Sequence, residues 1–388
     1  MKIVADANIP FVEEAFRGIG AVIPVSGRLL TADQVRDADI LLVRSVTQVN
    51  QGLLSNSKVK FVGTATIGTD HIDLDYLRQN QIGFASAPGS NAISAAEYVI
   101  GAIVVLSRQL QFRLTEKTVA IVGCGNVGSN LLRRLQTLGI NCMVYDPPRA
   151  DQFNDRDYVE WDEVRQADII TAHVPLTFSG AYPTYHMFDA AFFEQLNSNA
   201  IFINTARGRA VDENALLTVL QNRPDLRLVL DVWHSEPNIN IELLDKTTIA
   251  TSHIAGYSLD GKVRGTNMIY QAVCEYFAIT PDWVIPTLPF ADSLTAMQFD
   301  DSQMDEDVVY QCVTNAYDVL KDDAALRKIK ELGSNQRGDY FDTLRKHYPV
   351  RREFANYEIV VSQDRRQLVQ TLSGLGFRVD TATSHLTS

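Results

Sequence analysis

Short apolar runs that end on polar residues recur along this chain, separated by longer stretches of mixed character. Runs of that kind read as buried parallel strands. Lys2–Asp6, Ile40–Ser45 and Val59–Ala65 are the first three, with helical stretches between them, so the opening segment predicts βα units and a parallel sheet. A helix is expected from about Ser94 to Gln109, where Ser94 and Glu97 fit a capping box. A second series predicts six more strands: Thr118–Gly123, Asn141–Asp146, Asp168–Val174, Ile201–Asn204, Leu228–Val232 and Thr248–Ala250. Leu259–Phe277 then reads as a helix that returns the chain to the first region, and Pro281, Pro286 and Pro289 mark a linker.

The final hundred or so residues change character. Asp300–Asp307 is acidic, Asp307–Leu320 and Asp323–Leu332 read as helices, and Tyr357–Val361 and Gly376–Val379 read as strands around a helix at Arg365–Leu372. A chain of 388 residues exceeds one ordinary core. The pattern predicts an α/β protein with two parallel-sheet regions, plus a small C-terminal α+β domain. The expected boundaries are 1–93 with 259–285 for the first region, 94–258 for a nucleotide-binding domain, and 286–388 for an oligomerisation module.

Composition narrows the function. With 35 Lys+Arg against 47 Asp+Glu the net charge is −12, which argues against broad nucleic-acid or anionic-membrane binding but permits a small anionic substrate. The N-terminus enters a strand directly, and Tyr98–Leu106, the longest apolar stretch near a helix, is too short to span a bilayer. Cys124, Cys142, Cys274 and Cys312 are far apart and form no CxxC pair, so they read as reduced thiols. The expectation is a cytoplasmic protein. His71 and Asp73 could suggest a metal pair, but they read instead as residues at a helix start, and no metal is expected.

The candidate chemistry begins with a glycine loop. Gly123, Gly125 and Gly128 form G-C-G-N-V-G between a strand and a helix. A bare GxGxxG is weak, but here the strand, loop, helix and second strand fall within a unit of the right length, and that second strand ends in Asp146. Gly123 suits the tight turn, Gly125 the approach of backbone N–H groups to a pyrophosphate, and Gly128 close helix–strand packing. The helix N-terminus favours phosphate charge. A carboxylate at Asp146 accepts ribose hydroxyls and repels a 2′-phosphate, so NAD is expected over NADP; Arg149 is the one feature that softens this preference.

Three polar residues stand at the ends of predicted strands. Arg207 follows Ala200–Ala206, Glu236 follows Leu228–Ser235, and His253 follows Thr248–Ser252. In open α/β sheets chemistry sits at such carboxyl ends. A guanidinium holds a carboxylate by a two-pronged hydrogen bond, an imidazole moves a hydroxyl proton, and a carboxylate tunes the imidazole. One arginine, glutamate or histidine alone is more often structural; the joint placement suits a reaction on a hydroxy acid.

These segments carry a resemblance. Gly63–Asp73, the G-C-G-N-V-G loop, H-V-P-L-T, N-T-A-R-G, D-V-W-H-S-E-P and S-H-I-A-G together resemble the D-2-hydroxyacid dehydrogenase family, over roughly residues 40 to 280. The resemblance implies two Rossmann-like or flavodoxin-like domains with the active site in a cleft, 1–93 with 259–285 being the substrate (lid) domain, and catalytic roles for Arg207, Glu236 and His253. It implies cofactor contacts at Gly123, Gly125, Asn126, Val127, Gly128, Asp146, His173, Val174, Pro175, Thr205, Ala206, Asp231 and Gly256, and substrate contacts at Ser45, Thr66 and Tyr257. Arg44 is open between a phosphate partner and a surface charge. Leu42–Thr47, Tyr257 and Phe341–Phe354 resemble the branch of the family that oxidises 4-phospho-D-erythronate in vitamin B6 biosynthesis, which implies a homodimer formed through the tail. Another phosphorylated acid, 3-phosphoglycerate, is the alternative substrate, and an NADH-sensing corepressor is the non-enzyme alternative.

Overall fold

The computed structural model describes residues 1–153, 155–288 and 296–382, and the chain divides into two compact units, Met1–Ala92 with Ser258–Pro289 and Ile93–Tyr257 with Phe290–Ser388. Pro289 of the expected linker lies outside the described residues.

The first unit holds a parallel sheet of β1 (Lys2–Asp6), β2 (Ala21–Val25), β3 (Ile40–Val43), β4 (Phe61–Thr64) and β5 (Gly83–Ala85), in the order β2-β1-β3-β4-β5. That is the flavodoxin-like order. Both faces of the central strands are covered. Ile3, Ile40 and Phe61 pack with Phe16 and with Ile269, Tyr270 and Val273 of the helix Leu259–Tyr276. Val4, Leu41 and Val62 pack with Val35, Leu54 and Leu77 on the other side. This two-sided burial is why β1, β3 and β4 read as continuous apolar runs. The two edge strands carry no such signal: β2 contains Pro24 and is largely exposed, and β5 is only three residues long.

The second unit is built on a six-stranded sheet in the order β11-β10-β9-β8-β6-β7, comprising β6 (Thr118–Val122), β7 (Asn141–Tyr145), β8 (Ile169–Ala172), β9 (Ile201–Asn204), β10 (Arg227–Leu230) and β11 (Ile249–Ala250). All neighbours are parallel, with Val122, Ala172, Asn204, Leu230 and Ala250 aligned in one row at the carboxyl ends. The expected six strands are present, but only β7 lies beyond β6, so the order is 2-1-3-4-5-6 within the sheet. One face packs on the helix Ala92–Gln109, which is apolar because most of it is buried as a core helix. On the other face Phe202 of β9 packs with Phe188, Phe192 and Phe193.

The C-terminal segment adds a small parallel sheet, β12 (Met297–Gln298), β13 (Glu358–Ser362) and β14 (Arg378–Ala382), with the helix Arg366–Leu375 between the last two. Its core residues Val308, Phe354 and Leu372 join the cluster that includes Val99, Ile103 and Ile121. Two expectations are corrected. Ser94 and Glu97 are not a capping box, because the helix starts at Ala92 and both are buried inside it; Glu97 Oε1 instead accepts the Phe354 N–H at 2.9 Å. The expected helices at 307–320 and 323–332 are Asp305–Ala316 and Val319–Arg327, and a further helix, Ser334–Lys346, lies outside the expected set.

Candidate active site

The aligned row of strand ends sets the site. Five polypeptide segments leave the sheet from neighbouring positions: the glycine loop after Val122, His173–Pro175 after Ala172, Thr205–Gly208 after Asn204, Asp231–Glu236 after Leu230, and Thr251–Tyr257 after Ala250. The strand order reverses between β6 and β8, which is where doubly wound sheets open a crevice for ligands.

The glycine loop tests well against a dinucleotide. Gly123 has φ of 90°, and a Cβ there would lie 2.8 Å from the His173 carbonyl oxygen. A Cβ at Gly128 would lie 2.1 Å from the Gly123 carbonyl oxygen, so only glycine lets the helix Asn126–Thr137 pack this closely. At Gly125 a Cβ would meet nothing within 4 Å, which leaves the loop backbone open to a phosphate. Asn126 and Val127 begin the helix. Asp146 Oδ2 accepts the Cys124 N–H at 2.7 Å, which ties the end of β7 to the loop, and Oδ1 accepts the Arg149 N–H at 3.2 Å. Arg149 pairs with Asp155 at 3.6 Å and stacks on Phe153.

His173 sits between two hydroxyls, Thr171 Oγ1 at 2.9 Å on Nε2 and Thr205 Oγ1 at 3.2 Å on Nδ1. Burial pushes its pKa down to about 3, so the ring is neutral at physiological pH. Val174 and Pro175 come next in the chain, and the Ala206 N–H is fixed by Asn204 Oδ1 at 3.0 Å. Arg207 Nη1 donates to the Ala206 carbonyl oxygen at 2.8 Å. A Cβ at Gly208 would stand 2.0 Å from Trp233 C, so the turn of Arg207 lies directly against the segment leading to Glu236.

His253 and Glu236 meet: Nδ1 lies 2.7 Å from Glu236 Oε2. Glu236 Oε1 accepts the Trp233 N–H at 2.9 Å. Burial pushes the Glu236 carboxyl up, but His253, Arg345 and the Trp233 N–H together outweigh it and hold the pKa below its ordinary value. A carboxylate facing Nδ1 fixes the tautomer with hydrogen on that nitrogen and leaves Nε2 as the base. His253 has φ of 59°, a left-handed conformation that is costly for a side chain with a Cβ.

What holds His253 there is Asp231. Its Oδ1 accepts the Thr251 hydroxyl at 2.6 Å and the Ile254 N–H at 2.7 Å, its Oδ2 accepts the Ala255 N–H at 2.9 Å, and its carbonyl oxygen accepts the His253 N–H at 2.7 Å. Because the Thr251 hydrogen goes to the carboxylate, the Tyr98 hydroxyl 2.7 Å away is the donor to Thr251. Sequence reasoning missed Thr251 and Tyr98 as members of this network, since nothing local in T-S-H-I-A-G announces them. Gly256 and Tyr257 complete the turn, with the Tyr257 N–H donating to the Ile254 carbonyl oxygen at 2.8 Å.

The predicted residues of the first unit lie at the carboxyl ends of β3 and β4. Ser45 is exposed on the turn after β3. Thr66 Oγ1 is 2.8 Å from Thr64 Oγ1 and donates to the Gly68 carbonyl oxygen at 3.2 Å. Arg44 is not a free surface charge: Nε and Nη2 reach the buried Asp6 carboxylate at 3.0 and 3.4 Å. His71 Nε2 is 3.0 Å from Thr64 Oγ1, and Asp73 caps the helix Leu74–Gln79. No cluster of metal-ligating side chains occurs among the described residues.

Comparison with known proteins agrees with this geometry. Residues 95–255 match the family model of the D-isomer specific 2-hydroxyacid dehydrogenase NAD binding domain, and residues 290–376 match a domain of unknown function, DUF3410. The chain is 44% identical over 373 residues to the erythronate-4-phosphate dehydrogenase of Psychromonas ingrahamii, covering 96% of each. It is 43% identical over 381 residues to that of Proteus mirabilis, covering 97% of this chain and 99% of the relative. Among solved structures, NAD+-bound 3-phosphoglycerate dehydrogenase of Entamoeba histolytica matches with a TM-score of 0.63 and 26% identity, over 72% of this chain and 95% of that one. The chain belongs to the D-isomer specific 2-hydroxyacid dehydrogenase family, and its NAD-binding domain contains the paired Glu236 and His253.

Proposed function

We propose that this chain oxidises 4-phospho-D-erythronate at C2 to 2-oxo-3-hydroxy-4-phosphobutanoate, using NAD, in vitamin B6 biosynthesis. The observation that carries this reading is the 2.7 Å pair of Glu236 and His253, set in a chain 44% identical to an erythronate-4-phosphate dehydrogenase across 96% of its length. Arg207 holds the C1 carboxylate and the C2 oxygen by paired hydrogen bonds. His253 Nε2 takes the C2 hydroxyl proton while Glu236 orients the ring and stabilises the imidazolium that forms. NAD, when bound, accepts the hydride from C2. Gly123 and Gly125 would open the loop backbone to its pyrophosphate, with Gly128 packing the helix closely behind them, Asp146 would take its adenosine ribose, and His173 would line its site as a neutral ring. Ser45, Thr66 and Tyr257 contact the substrate.

The four thiols are unpaired, which supports a reducing compartment such as the cytoplasm. The dimer contact is assigned to residues 286–388, whose described part carries the separate sheet β12-β13-β14. Sedimentation of the purified protein as a monomer would overturn the dimer.

The test of the activity is NADH production from NAD with 4-phospho-D-erythronate and, in parallel, 3-phosphoglycerate, with a trap for the oxo acid. Strong preference for the first acid is expected. Preference for 3-phosphoglycerate would overturn the substrate assignment, and silence on both, with no cofactor released on denaturation, would overturn the enzyme reading.

A further inference from the structure

The helix Ser334–Lys346 runs against the segment that carries Glu236. A Cβ at Gly338 would stand 2.7 Å from Asn238 Oδ1, so the glycine permits a close approach just beyond Glu236-Pro237. About two turns later on the same face comes Arg345. Its guanidinium carbon lies 5.7 Å from the centre of the Tyr257 ring, within reach of a cation–π contact. Its Nε is buried and has no hydrogen-bond partner. Tyr257 is held from the other side, edge-on to Tyr348 with ring centres 5.8 Å apart, and the Tyr348 hydroxyl donates to Asp322 Oδ2 at 2.7 Å. A guanidinium from the C-terminal segment therefore stands beside both the Glu236 loop and the His253 loop.

We propose that Arg345 is a specificity-determining residue of the active site, which together with Tyr257 receives the phosphate of the substrate; this rests on the substrate reading above. A phosphomonoester carries about −1.5 to −2 charge at pH 7, added to the carboxylate that Arg207 holds. Arg44 is already matched by Asp6 in the first unit. Arg345 is differently placed. The carboxylates that bear on it are Glu236 and Asp342, and Glu236 shares its charge with His253 at 2.7 Å. When His253 carries the substrate proton it offsets the charge of Glu236, and of the two carboxylates only Asp342 still opposes the Arg345 guanidinium. The planar guanidinium fork suits phosphate oxygens, and a ring beneath it limits the side-chain freedom lost on binding.

The test compares wild type with R345Q, R345K and Y257F on two acids, 4-phospho-D-erythronate and unphosphorylated D-erythronate, with NADH titration by fluorescence as the check on folding. R345Q is expected to lower kcat/KM for the phosphorylated acid by about 10–100-fold, the range of a lost hydrogen bond to a charged group. That loss should fall on KM more than on kcat and exceed the loss on D-erythronate at least tenfold, with R345K recovering part of it. Equal losses on both acids, or a shifted pH profile without a change in phosphate preference, would overturn the proposal and make Arg345 a positioning residue for Glu236. If R345Q fails to bind NADH, R345K decides: unchanged discrimination between the acids overturns the proposal, and weakened discrimination supports it. Preference of wild type for 3-phosphoglycerate would sink the substrate reading alone, since R345Q can then be compared on 3-phosphoglycerate and glycerate.

Discussion

The carboxylate of Asp231 accepts the amide N–H of Ile254 at 2.7 Å, directly after a histidine held at φ of 59°. The same carboxylate takes the Thr251 hydroxyl and the Ala255 N–H, so it is committed to shaping the loop. In D231N one carboxylate oxygen becomes a donor facing donors. Unfolding by denaturant should show a loss of about 2–3 kcal/mol, the scale of unsatisfied hydrogen bonds to a buried charged group. An unchanged midpoint and slope would refute the assignment.

Glu236 and His253 are in contact at 2.7 Å, and under the proposed mechanism, in which Glu236 acts through His253, the two variants should not add. H253A is expected to lose about 10²–10⁴-fold in turnover while still binding NADH. E236Q loses less, and the double variant is no slower than H253A alone. Steady-state kinetics of the three proteins check this. Turnover like that of wild type in H253A would remove His253 from the reaction.

The three loop glycines differ in kind. A Cβ at Gly125 meets no protein atom within 4 Å, whereas one at Gly128 lies 2.1 Å from the Gly123 carbonyl oxygen. G125A should melt near the wild-type temperature but bind NADH more weakly, because the added methyl stands where the backbone approaches the phosphates. G128A should melt lower by several degrees, since helix and strand must separate. Equal melting temperatures for the two variants would contradict this division.

Glu97 gives a pH signature. Burial, then the charge of Glu353, pushes its pKa up to about 8 against the pull of Arg351, the Phe354 N–H and Arg134. A carboxyl that holds its proton in the folded state and loses it near pH 4.3 when unfolded favours folding fully only below that lower value. Its contribution is lost as pH rises toward about 8. The stability of wild type relative to E97Q, which keeps the acceptor for Phe354, should fall between pH 5 and pH 8. Denaturant midpoints measured across that window decide it, and a constant difference would show that Glu97 is ionised throughout.

Much of the fold, and the geometry of the candidate site, is legible in the sequence because the informative residues lie where local chemistry changes. β6, β9 and the helix Leu259–Tyr276 announce themselves by their apolar patterns, and the glycine loop by its spacing between a strand and a helix. Arg207, Glu236 and His253 can be grouped because parallel strands start neighbouring loops from one edge. The features that escape a sequence reading do so for equally physical reasons. β2 is an exposed edge with a proline, so its burial signal is faint. Ser94 and Glu97 have capping-box spacing, yet Glu97 serves Phe354 more than 250 residues away, which no window on the sequence contains. The helix Ser334–Lys346 buries only Phe341, so its apolar stripe is too thin to read. The placement of Arg345 over Tyr257 depends on that same helix.

Arg351 donates to the Ala255 carbonyl oxygen at 3.1 Å and to the Ser94 carbonyl oxygen at 2.8 Å, with its guanidinium 3.6 Å from the centre of the Tyr317 ring. Ala255 is thus gripped twice, by Asp231 through its N–H and by Arg351 through its carbonyl oxygen. The dehydrogenase core of this chain is consequently not a portable cassette. A graft that kept residues 95–255 and replaced the C-terminal segment would import His253 on a loop missing one of its two clasps, and chimaeras with shorter relatives should exchange the segment around Arg351 together with the sheet.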